Sequence, residues 1–79
     1  MARPYSEFRN DVKEGLRESL AVWKLTDEQL EAYVQKEEDQ IKDAYGYYLK
    51  PNETDTRDEE ARYASGVSTV SMCLEYCYE

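Results

Sequence analysis

Apolar residues recur every three or four positions in three segments of the chain, and this spacing predicts three α-helices. The predicted helices cover about residues 4–23, 27–49 and 57–78. Each has one apolar side, which would face a shared core. Prominent members of the three apolar sides are Phe8 and Leu16, Leu30 and Ile41, and Tyr63 and Leu74.

Signals at the helix ends support this division. Thr26 is followed three residues later by Gln29, a capping box that predicts the start of the second helix. Pro51 disfavours helix at the residue before it and ends that helix. Thr56 with Glu59 repeats the capping-box pattern and predicts the third start. The short connections predict an all-α fold, a small antiparallel three-helix bundle that forms one domain over residues 1–79.

The segment of residues 67–74 leaves an alternative open. It is rich in β-branched residues, which are typical of strands. A single strand would need a partner strand, and the chain offers none, so the helix is favoured.

The charge balance excludes a conventional nucleic-acid-binding protein. The 79 residues carry ten Lys and Arg against eighteen Asp and Glu, a net charge of −8, whereas such proteins need a basic surface. Arg9, Lys13 and Arg17 follow one another at four-residue spacing on the first helix, and we expect this row to face an acidic neighbouring helix. Gly15 and Ser19 are small, which predicts close approach of another element at that point.

Acidic residues cluster in two parts of the chain. Carboxylates one turn apart on a helix are about 6 Å apart, near the spacing of phosphates along a nucleic-acid strand. Such a surface is predicted to bind the basic surface of a partner protein, although acidic runs are also typical of plain solvated faces. The candidate residues are Glu37, Glu38, Asp39, Asp43, Asp58, Glu59 and Glu60.

Glu37 is unusual because it lies in the middle of an apolar stripe, between Val34 and Ile41. A carboxylate at such a position must reach solvent or find a partner. One interpretation is a structural lock, with Lys13, Arg17 or a tyrosine hydroxyl as the partner. The alternative is that Glu37 marks a docking site.

Tyrosine is over-represented, with eight residues in 79. Tyr5, Tyr33, Tyr45 and Tyr63 fit inward or boundary positions, where the ring is buried and the hydroxyl reaches the edge. Tyr47 and Tyr76 do not fit the apolar stripes. We therefore predict that these two are exposed aromatic anchors for a partner.

The residues needed for catalysis or for a cofactor are missing from the pattern. There is no His, no phosphate-binding loop and no nucleophile with a matching base. Cys73 and Cys77 supply half a zinc site at most and are expected to be reduced. The sequence thus predicts no enzyme, cofactor or metal. Without a signal peptide or membrane-spanning segment, a cytoplasmic location is expected.

Three segments resemble a loose group of small acidic helical proteins carried by phages and conjugative elements of Gram-positive gut bacteria. They are YSEFR at residues 5–9, LTDEQLEAY at 25–33 and GVSTVSMCL at 66–74. The resemblance transfers no catalytic residue. It implies a regulator or inhibitor of host defence, of the kind represented by anti-CRISPR and anti-restriction proteins.

These observations lead to two hypotheses on function. The first is a binding module that inhibits a nucleic-acid-handling protein, such as a CRISPR or restriction nuclease, by covering its basic surface; it would bind protein, not nucleic acid or membrane. The second is a self-associating structural module, a homodimer paired through Gly66, Val70 and Met72 of the third helix.

Overall fold

A computed structural model of the chain describes residues 2–78, and these fold into four α-helices. They are α1 (Tyr5–Ser19), α2 (Asp27–Lys36), α3 (Glu38–Leu49) and α4 (Glu59–Cys77), with a 3₁₀ turn at Ala21–Trp23. The predicted all-α class is confirmed for this part of the chain. The predicted antiparallel three-helix bundle is not confirmed, since these residues form four helices, and the contacts of Phe8 with Tyr63 and of Gly15 with Ser71 show that α1 and α4 run in the same direction.

The first helix ends at Ser19, four residues before the predicted end. The 3₁₀ turn follows at once, and Lys24 takes a left-handed backbone conformation with φ of 53°. Val22 and Trp23, at the end of the first predicted helix, are exposed. Trp23 packs edge-on against Tyr78, with ring centroids 5.1 Å apart. The chain turns here because α2 must begin at the capping box of Thr26 and Gln29, which is confirmed.

The second predicted helix is interrupted at Glu37. This residue has φ of −102° and ψ of 18°, outside the helical range. It is both the C-cap of α2 and the N-cap of α3. The apolar stripe runs through Tyr33 and Val34, breaks at the two carboxylates Glu37 and Glu38, and resumes at Ile41. The interruption gives both carboxylates access to the edge of the core, where polar partners are available.

The start of α4 also differs from the prediction. Asp58 is the capping residue, since its Oδ1 accepts a hydrogen bond from the backbone N–H of Ala61 at 2.8 Å. Thr56 precedes the helix because Asp55 holds Arg57 outside it, accepting from its backbone N–H at 3.1 Å and from its guanidinium at 2.7 Å. Residues 67–74 lie within α4, so the helical alternative for that segment is confirmed.

All four helices contribute to the core, and its aromatic part lies where α1, α3 and α4 meet. Phe8 is fully buried and touches the rings of Tyr45, Tyr48 and Tyr63 at centroid distances of 5.4–6.4 Å. Hydrogen bonds fix the long α4 at both ends: Glu59 accepts from the Tyr48 hydroxyl, and the Leu74 carbonyl accepts from Tyr33 at 2.7 Å. None of the helices in residues 2–78 has the length and apolar character needed to cross a membrane.

Candidate functional site

The basic row of α1 is used inside the protein. Arg9 donates to both carboxylate oxygens of Glu31, at 2.5 and 3.2 Å, and Lys13 donates to the same residue at 3.1 Å. Arg17 lies 2.6 Å from Asp27. The prediction that this row faces an acidic neighbouring helix is confirmed, and the neighbour is α2.

The shared carboxylate of Glu31 is the centre of this network. Hydrogen bonds from Arg9 and Lys13 lower its pKa to about 2. Its side chain is 39% exposed, so solvent screens the interaction and its contribution to stability stays within about 1 kcal/mol. The larger consequence is for the surface charge, because Arg9, Lys13 and Arg17 of α1 are all paired with carboxylates of α2.

The seven acidic candidates fall into two groups. Gln40 of α3 lies near Cys73 of α4, because both line the same groove. Cys73 is fourteen residues after Glu59, which corresponds to about 21 Å along α4. The junction of α2 and α3 is therefore far from the start of α4. The first group, which extends from this junction to the middle of α3, is Glu37, Glu38, Asp39 and Asp43; the second, at the start of α4, is Asp58, Glu59 and Glu60.

Several of these carboxylates already have partners within the protein. Glu38 accepts from the Tyr5 hydroxyl at 3.0 Å, Glu59 accepts from Tyr48, and Asp58 caps α4. These contacts assign the three residues a structural role.

Glu37 does not form the predicted lock with Lys13, Arg17 or a tyrosine. Its carboxylate accepts from Gln40 at 2.9 Å on the surface. The expected partners are occupied, since both cations pair with carboxylates of α2. Because the helix is interrupted at Glu37, this side chain reaches the surface, and the structural-lock interpretation is wrong.

Asp39 and Asp43 remain exposed and make no ion pair or side-chain hydrogen bond within residues 2–78. They lie one helical turn apart, and Tyr47 follows after a further turn. Two lysines, Lys36 and Lys42, are within three residues of them in the sequence and carry no ion pair in the same part of the chain. The surface of α3 is thus mixed in charge.

The two predicted aromatic anchors are both exposed. Tyr76 is 80% exposed and Tyr47 is 41% exposed. Tyr47 is nevertheless held in place, because its hydroxyl donates to Asp55 at 3.0 Å. Tyr76 lies seven residues after Thr69 and three after Cys73, so it continues the side of α4 that faces α3.

A groove of about 550 Å³ runs between α1 and α4. We call it the α1–α4 groove. Five of its twelve described lining residues are small, and the largely exposed Met72 lies at its edge. The small residues are Gly15, Ser19, Ala64, Ser68 and Ser71.

The charged residues of this groove are mainly acidic. Asp11, Glu18 and Glu75 line it, and neither glutamate makes an ion pair or side-chain hydrogen bond within residues 2–78. Asp11 accepts from the Tyr63 hydroxyl. Arg3 is the one cation in the lining, and carboxylates outside the groove already lie 3.5 and 3.7 Å from it. The net charge of the residues that line this groove is therefore negative.

Burial raises the pKa of the Tyr63 hydroxyl, and its hydrogen bond to Asp11 adds to the effect. Tyr63 therefore stays neutral well above physiological pH.

Ser71 is the close contact that Gly15 makes possible. A Cβ atom at Gly15 would lie 3.1 Å from the Ser71 hydroxyl oxygen. The predicted close approach at Gly15 is confirmed. The hydroxyl itself is buried and has no hydrogen-bond partner within residues 2–78.

Replacing Ser71 by Ala is expected to stabilise the protein by about 1 kcal/mol. An unpaired buried hydroxyl carries a desolvation penalty that alanine removes. Urea unfolding followed by circular dichroism measures the change. Ser68→Ala is the matched control, since this exposed serine of the same helix gains helix propensity alone. A loss of stability in Ser71→Ala would show that the hydroxyl is satisfied.

A second groove, of about 410 Å³, lies between α3 and α4, and we call it the α3–α4 groove. Apolar atoms of Ala44 and Val70 line it, together with Tyr47. Two cations, Arg57 and Arg62, also line it. The charged residues that line this groove are therefore cationic, whereas those of the α1–α4 groove are mainly acidic.

The residues of the self-association hypothesis are mostly used within the chain. Gly66 faces the ring of Phe8, and Val70 is buried. Met72 alone among the three is largely exposed. Cys73 and Cys77 are free and exposed.

The sequence interpretation did not identify Glu18, Glu75 or Arg62 as site residues. What places the two carboxylates in one groove is the packing of α1 on α4. The small residues Gly15 and Ser19 were the available signal for that packing.

Comparisons with protein-family models, curated proteins and solved structures found no match to this chain. The resemblance to proteins of mobile elements therefore stays a prediction.

Proposed function

We propose that this protein is a cytoplasmic binding module whose α1–α4 groove holds a cationic helical segment of a partner protein. By covering a basic nucleic-acid-binding surface, it would act on that partner as an inhibitor or regulator. The observation that carries the proposal is the set of unpaired carboxylates, Glu18 and Glu75, in a groove without an unpaired cation in its described lining.

The shape of the groove supports a helix as the bound element. Small side chains such as Gly15 and Ser68 allow a partner backbone to approach closely, as they do at other close helix contacts. Met72 at the edge provides an unbranched side chain that adapts to different apolar surfaces. Lysine and arginine side chains of the partner would then reach the carboxylates on either side.

Charge complementarity favours a different protein over a second copy of this chain. Two α1–α4 grooves facing each other would bring Glu18 and Glu75 against like charges, which is unfavourable in an interface. A cationic segment pairs with the same residues. The net charge of −8 would also accelerate its approach by electrostatic steering.

Asp39, Asp43 and Tyr47 on α3 are an exposed part of the larger acidic and aromatic interface that the sequence predicted. Lys36 and Lys42 weaken the negative field there. The two surfaces can therefore be compared directly by variants of equal charge.

The test uses a fluorescent amphipathic peptide of about five helical turns, with lysines on its polar face, and measures binding by anisotropy. Glu18→Lys with Glu75→Lys is compared with Asp39→Lys with Asp43→Lys. Each reversal adds two positive charges, so both double variants change the net charge from −8 to −4. We expect the groove variant to weaken binding by about 30-fold or more, since roughly 2 kcal/mol of ion pairing is lost. The α3 variant should change binding by only a few-fold.

Binding by the unmodified protein should also fall as salt is raised. The protein should further release a labelled DNA duplex from the peptide, which tests the inhibitory part of the proposal. Equal weakening by the two double variants would reduce the effect to net charge and contradict the assignment to the groove. Peptide binding without release of DNA would contradict the inhibitor role.

A further inference from the structure

Arg62 differs from every other arginine of the chain in its pairing. Arg3, Arg9, Arg17 and Arg57 each lie within 4.0 Å of a carboxylate oxygen. Arg62 has no such partner within residues 2–78.

One guanidinium nitrogen of Arg62, Nη1, donates to the backbone carbonyl of Arg57 at 3.0 Å. The Nε atom is buried and has no acceptor in the described residues. Buried polar atoms in folded proteins nearly always have a partner. Because Arg62 also lines a groove and has no carboxylate within 4.0 Å in the described residues, its guanidinium is free to pair with an anion there.

The surroundings of Arg62 supply a place for that anion. Arg62 lines the α3–α4 groove, whose volume of about 410 Å³ lies in the range of small-molecule sites. Beyond the guanidinium, the groove offers the hydroxyl groups of Ser65 and Thr69 and the apolar side chains of Ala44 and Val70. This combination of one charged end and an apolar wall suits a molecule with an anionic head and an apolar body.

The neighbouring cation is not available in the same way. Arg57 donates to Asp55 at 2.7 Å, and Tyr47 donates to the same carboxylate at 3.0 Å. These contacts hold the connection before α4 against one end of the groove and leave Arg62 as the unneutralised charge. Arg62 is therefore the unpaired cation in the described lining of this groove. The long-range repulsion from a net charge of −8 is screened beyond about 8 Å at physiological salt.

We propose that the α3–α4 groove binds a small organic anion, with its carboxylate or phosphate on the guanidinium of Arg62 and its apolar body along Ala44 and Val70. This site is on a different side of α4 from the α1–α4 groove, which is lined by Ser68, Ser71 and Glu75. The inference is thus independent of the proposed function.

The experiment uses two fluorescent probes that share an apolar body and differ in charge. Anilinonaphthalene sulfonate carries an anion, and N-phenyl-1-naphthylamine is its neutral counterpart. We expect Arg62→Gln to weaken binding of the sulfonate at least tenfold and to leave binding of the neutral probe unchanged. Lys42→Gln is the matched control, because it removes the same charge from the outer side of α3 and should alter neither.

Cys73 gives a second readout of the location. It is exposed and lines the same groove, so a bound probe should slow its alkylation. The measurement is made in a Cys77→Ser background, in which Cys73 is the one remaining thiol. Competition by 1-naphthoate and by 1-naphthyl phosphate then ranks carboxylate against phosphate as the preferred head.

Either ranking supports the site, and failure of both competitors to displace the sulfonate overturns it. Equal affinity of the sulfonate for Arg62→Gln and for the unmodified protein would likewise overturn it. So would an unchanged rate of Cys73 alkylation at saturating probe.

Discussion

Raising the pH from 10 to 12 is expected to unfold this protein completely. Burial raises the pKa of Tyr33 to about 12, and it also raises the pKa of Tyr63, each from an ordinary value of 10.0. Both side chains are less than a tenth exposed. Desolvation disfavours the charged phenolate in the folded state, whereas the unfolded chain ionises freely.

The sign follows from linkage. A pKa that is raised in the folded state contributes stability that is fully present below pH 10 and is lost as the pH rises through the folded value. For each such tyrosine, the free energy of unfolding falls by about 1.4 kcal/mol per pH unit. Tyr33 and Tyr63 together therefore lower it by about 5 kcal/mol by pH 12. Tyr48 and the half-buried Tyr5, whose pKa values are also raised, add to this loss. A small domain with a total stability near 5 kcal/mol does not survive it.

Circular dichroism at 222 nm and tyrosinate absorbance at 295 nm, recorded across the same titration, measure the effect. Helix loss should coincide with the last phase of tyrosine ionisation. Tyr33→Phe removes one contribution and should move the unfolding midpoint to higher pH, provided the loss of its hydrogen bond to the Leu74 carbonyl is corrected for at neutral pH. Full ionisation of all eight tyrosines with the helical signal intact would show that these hydroxyls reach solvent.

The parts of the fold that were predicted correctly depend on residues close together in the sequence. Two such features lie within a single helix each and can be recognised from its sequence alone. They are the capping box of Thr26 and Gln29 and the row of Arg9, Lys13 and Arg17. The start of α4 was predicted wrongly because Thr56 and Asp58 are both good capping residues. The choice between them is made by the contacts that hold Arg57 on Asp55.

The candidate sites depend on residues far apart in the sequence, and for that reason they were largely missed. Glu18 and Glu75 are 57 positions apart and share a groove only because α1 packs on α4. Arg62 differs from Arg57 because Asp55 pairs with Arg57 and does not reach Arg62. Periodicity identifies which side of a helix is buried, but it does not determine which ionic partners are within reach.

Replacing Phe8 by Ala is expected to destabilise the protein by about 3–5 kcal/mol, enough to leave much of it unfolded at neutral pH. Phe8 is 0% exposed, and its ring lies 5.5 Å from that of Tyr63, edge to face. Gly66 leaves space for this ring, since a Cβ atom there would lie 3.3 Å from it. The core of a 79-residue chain is thin, and the tyrosines around the ring are fixed by hydrogen bonds at their hydroxyls. They are therefore poorly placed to collapse into the cavity.

Urea unfolding at neutral pH measures this effect, with two variants to interpret it. Phe8→Leu keeps most of the buried volume and should lose less than about half as much stability as Phe8→Ala. Tyr76→Ala removes an aromatic ring of similar size that is 80% exposed, and it should stay within about 0.5 kcal/mol of the unmodified protein. If Phe8→Ala and Tyr76→Ala had similar effects, the three-helix contact around Phe8 would not be the core, and the positions of both grooves, which are set by the packing of α4 against α1 and α3, would have to be reassigned.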